Sequence, residues 1–328
     1  MGMMRLGFGR QALGIGLAVA LLAGCGGQTS SPGTMGLMPS GRAAHGGSWM
    51  KPGTSGSDLL YVSSRHGDVY VFTYPGGTPV GTLTGFENPL GVCSDKNGNV
   101  WITNTKPSGT SGYLLEYAHG STSPIAMLSD PNEAPQDCSV DATTGNLAVA
   151  NGCDGGSCNA TIGIYVNAQG TPTLYSTNPP MGAPYTISYD GAGDVFVVGF
   201  EGVYKQGITW LPKGGSTVKV FPLRPHVFPR GVRWDGKYLV ISYPANQIRQ
   251  YKVQNGTGKA TRRIIKLNGF CCGIYLIQGS TFIGGSASNT ISFWHYPAGG
   301  NPVLTISGPA NAVGVTVSVA PPASRIHE

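Results

Sequence analysis

Charge is the scarcest ingredient of this 328-residue chain, since Lys, Arg, Asp and Glu make up only 11% of it. Ordinary soluble domains carry about 25%. The formal net charge of +6 falls by two once Arg5 and Arg10 are set aside with a leader segment. An excess so small and scattered excludes the basic stripe of a nucleic-acid binder, and no nucleic-acid partner is expected. The densest basic stretch, holding Lys259, Arg262, Arg263 and Lys266, reads as a solvated edge strand. Long apolar runs are missing as well. Beyond residue 23 nothing approaches the roughly 20 apolar residues of a membrane-spanning helix, so no such helix is predicted. His66, His119, His226 and His295 stand singly in loops, and His45 and His327 fall in tails. None has metal-ligand spacing with another. No Ser-His-Asp arrangement can be read, and no Gly pair is completed by Lys-Ser/Thr into a phosphate loop.

The first segment that is present concerns export. Arg5 and Arg10 form a short positive region, followed by an apolar stretch from Ala12 to Ala23 and then Leu22-Ala23-Gly24-Cys25. This order resembles the signal peptide and lipobox of bacterial lipoproteins. The resemblance implies cleavage after residue 24, diacylglycerol on the Cys25 sulfur and a palmitate-type acyl anchor. The partner is then a membrane, held by acyl chains and not spanned, because stable anchoring needs more than one chain. Gly26 is not the Asp that retains such proteins at an inner membrane, so a cell-envelope location is expected, at the outer membrane or cell surface. Residues 25–57, rich in Gly, Ser, Pro and Thr, read as a lipidated N-terminus and tether. A coil of that length reaches roughly 30 Å.

From Leu59 the chain repeats. Apolar strands begin at Leu60, Val100, Leu147, Val195, Tyr238 and Thr281, at spacings of 40, 47, 48, 43 and 43 residues. Most are introduced by turns such as Lys96-Asn97-Gly98-Asn99 and Asp235-Gly236-Lys237, which supply the positive φ of tight hairpins. Before each turn lies a strand of small and branched residues, such as Gly91-Val92-Cys93 or Gly231-Val232-Arg233-Trp234. Strands at this period, with 52 Gly and 24 Pro, mark propeller blades. The first unit lacks an inner strand, and the chain ends on an unpaired one, Val313-Gly314-Val315-Thr316-Val317. Joining the two predicts an all-β, six-bladed β-propeller of four-stranded antiparallel blades over 58–319, closed by its C-terminal strand. Residues 320–328 read as a disordered tail.

The units resemble NHL repeats, most closely at Pro89-Leu90-Gly91-Val92-Cys93-Ser94-Asp95-Lys96-Asn97-Gly98-Asn99-Val100-Trp101-Ile102-Thr103-Asn104. Such an architecture hosts enzymes, binders and scaffolds alike. Loops entering the inner strands and leaving the second strands share one face, where ligands usually bind. That face is expected to gather Asn104, Asp137, Asn151, Tyr185 and Arg230, together with Arg65 and His66. Asp137, Asn104 and Asn151 are of the oxygen-donor type that ligates Ca²⁺. They are similar to the Glu, Asn and Asp set of gluconolactonase-like propellers, which implies a metal-dependent hydrolase or lyase. The acidic residue that family carries on its first blade is missing from Tyr61-Val62-Ser63-Ser64-Arg65-His66. No catalytic residue and no metal ligand set is assigned.

Six cysteines besides Cys25, in an exported chain, favour disulfides. Cys153 and Cys158 flank a short loop that closes easily. Cys93 and Cys138 fall on inner strands of neighbouring blades, so a disulfide between them is possible, although an offset of one position points them to different faces of their sheets. The adjacent Cys271 and Cys272 are either two buried thiols or a strained vicinal pair. The sequence therefore predicts a monomeric, anchored, non-enzymatic propeller that binds a protein, glycan or small ligand at the envelope.

Overall fold

The computed structural model describes residues 47–109, 111–131, 133–152, 160–178, 180–201, 205–225, 228–286 and 289–322; the side chains of 201, 205, 206, 271–273 and 286 are excluded. Cys25, Cys153 and Cys158 lie outside this set, as do the side chains of Cys271 and Cys272. No helix among the described residues is long and apolar enough to cross a membrane.

Six sheets are arranged in a ring, each a blade. The inner strands of blades 2 to 6 are Pro89–Ser94, Ala134–Val140, Met181–Tyr189, Gly231–Trp234 and Phe270–Gln278. Blade 1 takes its inner strand, Ala312–Ser318, from the far end of the chain, pairing it antiparallel with Leu59–Ser64. Closure therefore occurs as the orphan strand predicted. Several contacts fasten it. Ser94 Oγ donates to the Val317 carbonyl at 2.8 Å, and His119 spans from Ser318 Oγ (2.6 Å) to the Ser57 carbonyl (3.0 Å). Trp49 and Met50, within the stretch read as tether, pair with Thr82 and Gly81 and give blade 1 a fifth strand. Blade 5 also has five. Leu223–Arg224 runs parallel to Gly258 and Lys259, so the basic strand Thr257–Lys266 is not a simple free edge.

Alternation explains why the second strands are continuously apolar. Leu59 and Tyr61 face blade 2, whereas Leu60 and Val62 face blade 6; Ala148 and Ala150 face blade 4, whereas Leu147 and Val149 face blade 2. Both faces of each blade are buried against neighbours, so both sets of side chains must be apolar. Among the described residues the buried core falls into six clusters, one per blade interface.

The recurrent acidic residue of the repeat is spent on its turn. Asp95 Oδ1 accepts the N–H groups of Asn97 and Asn99, both at 2.8 Å. Asp190 does the same for Ala192 and Asp194, and Asp235 for Lys237 and Tyr238. The glycine in each turn, at φ 85° for Gly98 and 92° for Gly236, occupies the left-handed region that other residues resist.

Inner strands leave N–H groups that no strand of their own blade can accept, and side chains of the neighbouring blade meet them. Asp137 accepts from Ile187 N at 2.9 Å and Ser139 from Tyr189 N at 3.0 Å. Thr186 accepts from Val232 N at 2.9 Å and Ser188 from Trp234 N at 3.1 Å. Blades 3, 4 and 5 are thus zipped along the channel.

A disulfide joins Cys93 to Cys138 across the interface of blades 2 and 3. Cys93 stands opposite Trp101, second in its strand, and Cys138 opposite Val149, third in its strand. The offset that counts against pairing within one sheet favours it between two. Adjacent blades meet through opposite faces, so thiols pointing to different faces point at each other. In the chain-entropy model a cross-link over a separation of 45 residues contributes about 4 kcal/mol.

Candidate functional site

A cavity of about 250 Å³ opens at the end of the channel where the inner strands begin. Every blade contributes to its wall: Arg65 and Val313 from blade 1, Leu90 from blade 2, Gln136 and Asp137 from blade 3, Pro184 to Thr186 from blade 4, Arg230 and Arg233 from blade 5, and Ile274 from blade 6. This is the face on which the sequence places its candidate residues, and four of them, Arg65, Asp137, Tyr185 and Arg230, line the cavity.

Arg233 organises the floor. Its Nη1 lies 2.9 Å from Asp137 Oδ2 and donates to the Ile187 carbonyl at 3.0 Å and to the Val232 carbonyl at 3.1 Å. Its Nε donates to the Tyr275 carbonyl at 3.1 Å. One guanidinium therefore ties together inner strands of blades 3, 4, 5 and 6. Both partners are largely withdrawn from water, with side-chain exposures of 13% and 4%. Burial lifts the Asp137 carboxyl above its ordinary range, and the guanidinium beside it pulls the other way. Sequence reading counted Arg233 only as a strand residue. The signal was a long cation on an inner strand, where converging blades otherwise require small or branched side chains.

Arg230 is exposed at the rim, close enough to Tyr185 to oppose the upward shift that burial imposes on the phenol. Tyr185 is held edge-on against Phe200, with ring centroids 5.0 Å apart. Arg65, following the second strand of blade 1, is exposed, and its backbone N–H binds the Asn311 carbonyl. The wall thus carries three arginines and one carboxylate, which Arg233 already neutralises.

Asn104 and Asn151 do not line the cavity. Both are fully buried. Asn104 Oδ1 accepts from Glu87 N at 3.0 Å and Asn88 N at 3.1 Å, fastening the loop between blades 1 and 2. Asn151 donates to Thr161 Oγ1 at 3.4 Å within blade 3. Asn104 is therefore a loop clamp, whereas Asn151 ties the second strand of blade 3 to the third.

The same geometry bears on calcium. Asp137 faces a guanidinium and Asn104 Oδ1 already accepts two backbone N–H groups, so neither is open to a hard cation. Among the described residues no group of three His, Cys, Asp or Glu side chains is placed to hold a metal. The residues present do not fit a gluconolactonase-like centre.

No protein-family model matches the chain, and no curated protein matches it. Among solved structures, it is similar to a chain of the nidogen/laminin complex, with a TM-score of 0.60 at 11% identity over 80% of this chain and 99% of that one. It is also similar to the Dos1 propeller, with a TM-score of 0.46 at 11% identity over 77% and 68% of the two chains. The likeness is one of fold: the protein is an all-β, six-bladed propeller.

Proposed function

We propose that this protein is an exported lipoprotein whose NHL-like propeller binds a small organic anion at the channel mouth. The observation that carries the reading is the wall of the cavity, which Arg65, Arg230 and Arg233 line and whose single carboxylate, Asp137, is already bound to Arg233. Arginine forks match carboxylates in a bidentate fashion, and partial withdrawal from water strengthens the contact. The volume of about 250 Å³ lies just below the range of drug-sized sites, which suits an acid of a few carbons. Asp137 stabilises Arg233 and is consumed in doing so, leaving no base aimed into the cavity. Binding is therefore the role this arrangement supports. Anchoring rests on Arg5, Arg10, the apolar stretch and Leu22-Ala23-Gly24-Cys25, and Gly26 favours an outer-membrane or surface location.

The test compares thermal unfolding of the full chain in succinate and in its neutral diamide. Succinate is expected to stabilise, by about 2.7 kcal/mol when present at a hundred times its Kd, and the diamide to have no effect. Arg230→Gln should abolish most of the gain. Equal responses to acid and amide, or a gain that survives Arg230→Gln, would refute the reading.

A further inference from the structure

The positive charge is not scattered, as the composition suggested. Between Lys205 and Lys266 the chain carries thirteen Lys and Arg residues and one carboxylate, Asp235. That carboxylate is occupied by its own turn, by Gln250 Nε2 at 3.1 Å and by the Tyr296 hydroxyl. Blade 5 and its flanks are thus a cationic sector with almost no internal counter-charge.

Four of these cations meet around one cavity. A groove of about 670 Å³ on blade 5 is lined by Arg224, Arg249, Lys259 and Arg262, with Thr257 and Asn255, and no carboxylate reaches its wall. Two features of the fold produce it. The short parallel strand Leu223–Arg224 brings Arg224 beside Lys259. The ladder between the third and fourth strands then breaks: Arg249 pairs with Ile264 and Tyr251 with Ala260, so residues 261–263 oppose the single Gln250. A bulge of this kind re-aims side chains. It gives Arg262 to the groove, while Arg263 is turned away to the Ala298 carbonyl at 3.3 Å.

We infer that this groove is a second binding site, separate from the channel mouth, for a phosphate-bearing ligand. Like charges held around one volume repel, and a ligand carrying two negative charges relieves that repulsion best. Three guanidinium forks and one ammonium match phosphoryl oxygens. The volume exceeds that of a bare phosphate and accommodates a phosphate ester. Its absence of aromatic side chains disfavours a neutral sugar, which is usually held by stacking. Such a phosphate is carried either by an anionic lipid headgroup or by a soluble ester.

The test uses the full chain with Cys25→Ser, so that no acyl anchor contributes to membrane binding. At physiological salt, flotation with phosphatidylglycerol/phosphatidylcholine vesicles is compared with phosphatidylcholine alone, and glycerol phosphate is titrated by calorimetry. Binding in either arm supports the site: vesicles alone identify a headgroup, and glycerol phosphate a soluble ester. Arg224→Gln with Arg262→Gln is expected to weaken that binding roughly 30-fold. The pair Lys213→Gln with Lys219→Gln on blade 4 should leave it within about twofold. All variants change exposed side chains, and their melting curves verify folding. The inference is overturned if neither probe binds, or if the blade 4 pair weakens binding as much as the groove pair, which would show diffuse attraction without a site.

Discussion

Two buried carboxylates show how differently one residue type can be used. Asp137 has a cation at 2.9 Å and a backbone donor at the same distance. Asp130 is equally buried, yet no cation or backbone N–H meets its oxygens. Burial raises its carboxyl to about 7, the charge of Glu133 adds to the rise, and Tyr165 and Asn151 oppose it. A carboxyl whose pKa is raised on folding contributes stability that is complete below the unfolded value, near 3.9, and lost as pH climbs through about 7. Between those limits stability should fall by about 1.4 kcal/mol per pH unit on this account. Asp130→Asn should remove that slope and be more stable than the parent at pH 8, as urea unfolding at pH 5 and pH 8 would reveal. An unchanged slope would show that the carboxyl stays ionised. For the ion pair the expectation is opposite. Arg233→Met alone leaves Asp137 buried without its cation and should cost about 3–5 kcal/mol, whereas Arg233→Met with Asp137→Leu should recover much of it. At this scale the sequence was least legible. Asp137, Tyr185 and Arg230 line the cavity because their place in the repeat puts them at strand entrances. Asn104 and Asn151 are buried away from it, because the position within the repeat reveals the face but not the direction of the side chain. Arg233 was missed because its role exists only once four inner strands converge.

Strands were far more legible, since their period and their Asp-x-x-Gly turns are local. The second strand of each blade is apolar on both faces because both faces are interfaces, and that uninterrupted pattern survives in the sequence. What local reading could not supply was the relation between blades. Cys93 and Cys138 were expected on neighbouring blades, where a bridge is possible, but the meaning of their one-position offset was not legible: across an interface it joins them. The fifth strands of blades 1 and 5 escaped notice because two residues carry no periodicity. Closure can be tested at the element itself. Gly314 lies in the closing strand, and a Cβ there would run into the Leu90 carbonyl oxygen and Ser63 Oγ on its neighbours. Ser63 Oγ also donates to that carbonyl. Gly314→Ala should therefore cost about 1–3 kcal/mol by overpacking, measured by thermal unfolding. A neutral substitution would mean that blades 1 and 2 are not pressed together at that point.

Across the whole molecule, the ring was readable from six spacings and one orphan strand, whereas the charge distribution was hidden by an average. A net +6 conceals a basic sector on blades 4 and 5 facing a more acidic remainder, and only counting by segment exposes it. The ring also gathers what the chain keeps apart: Arg65 and Arg233, 168 positions apart in the sequence, share a wall of one cavity. The central claim, an anion site at the channel mouth, is tested most directly by soaking crystals in bromide and locating the ions by anomalous scattering. The account predicts a bromide inside the channel mouth, within hydrogen-bonding distance of the Arg230 or Arg65 guanidinium. Bromide found only on the outer surface, with none in the cavity, would contradict it.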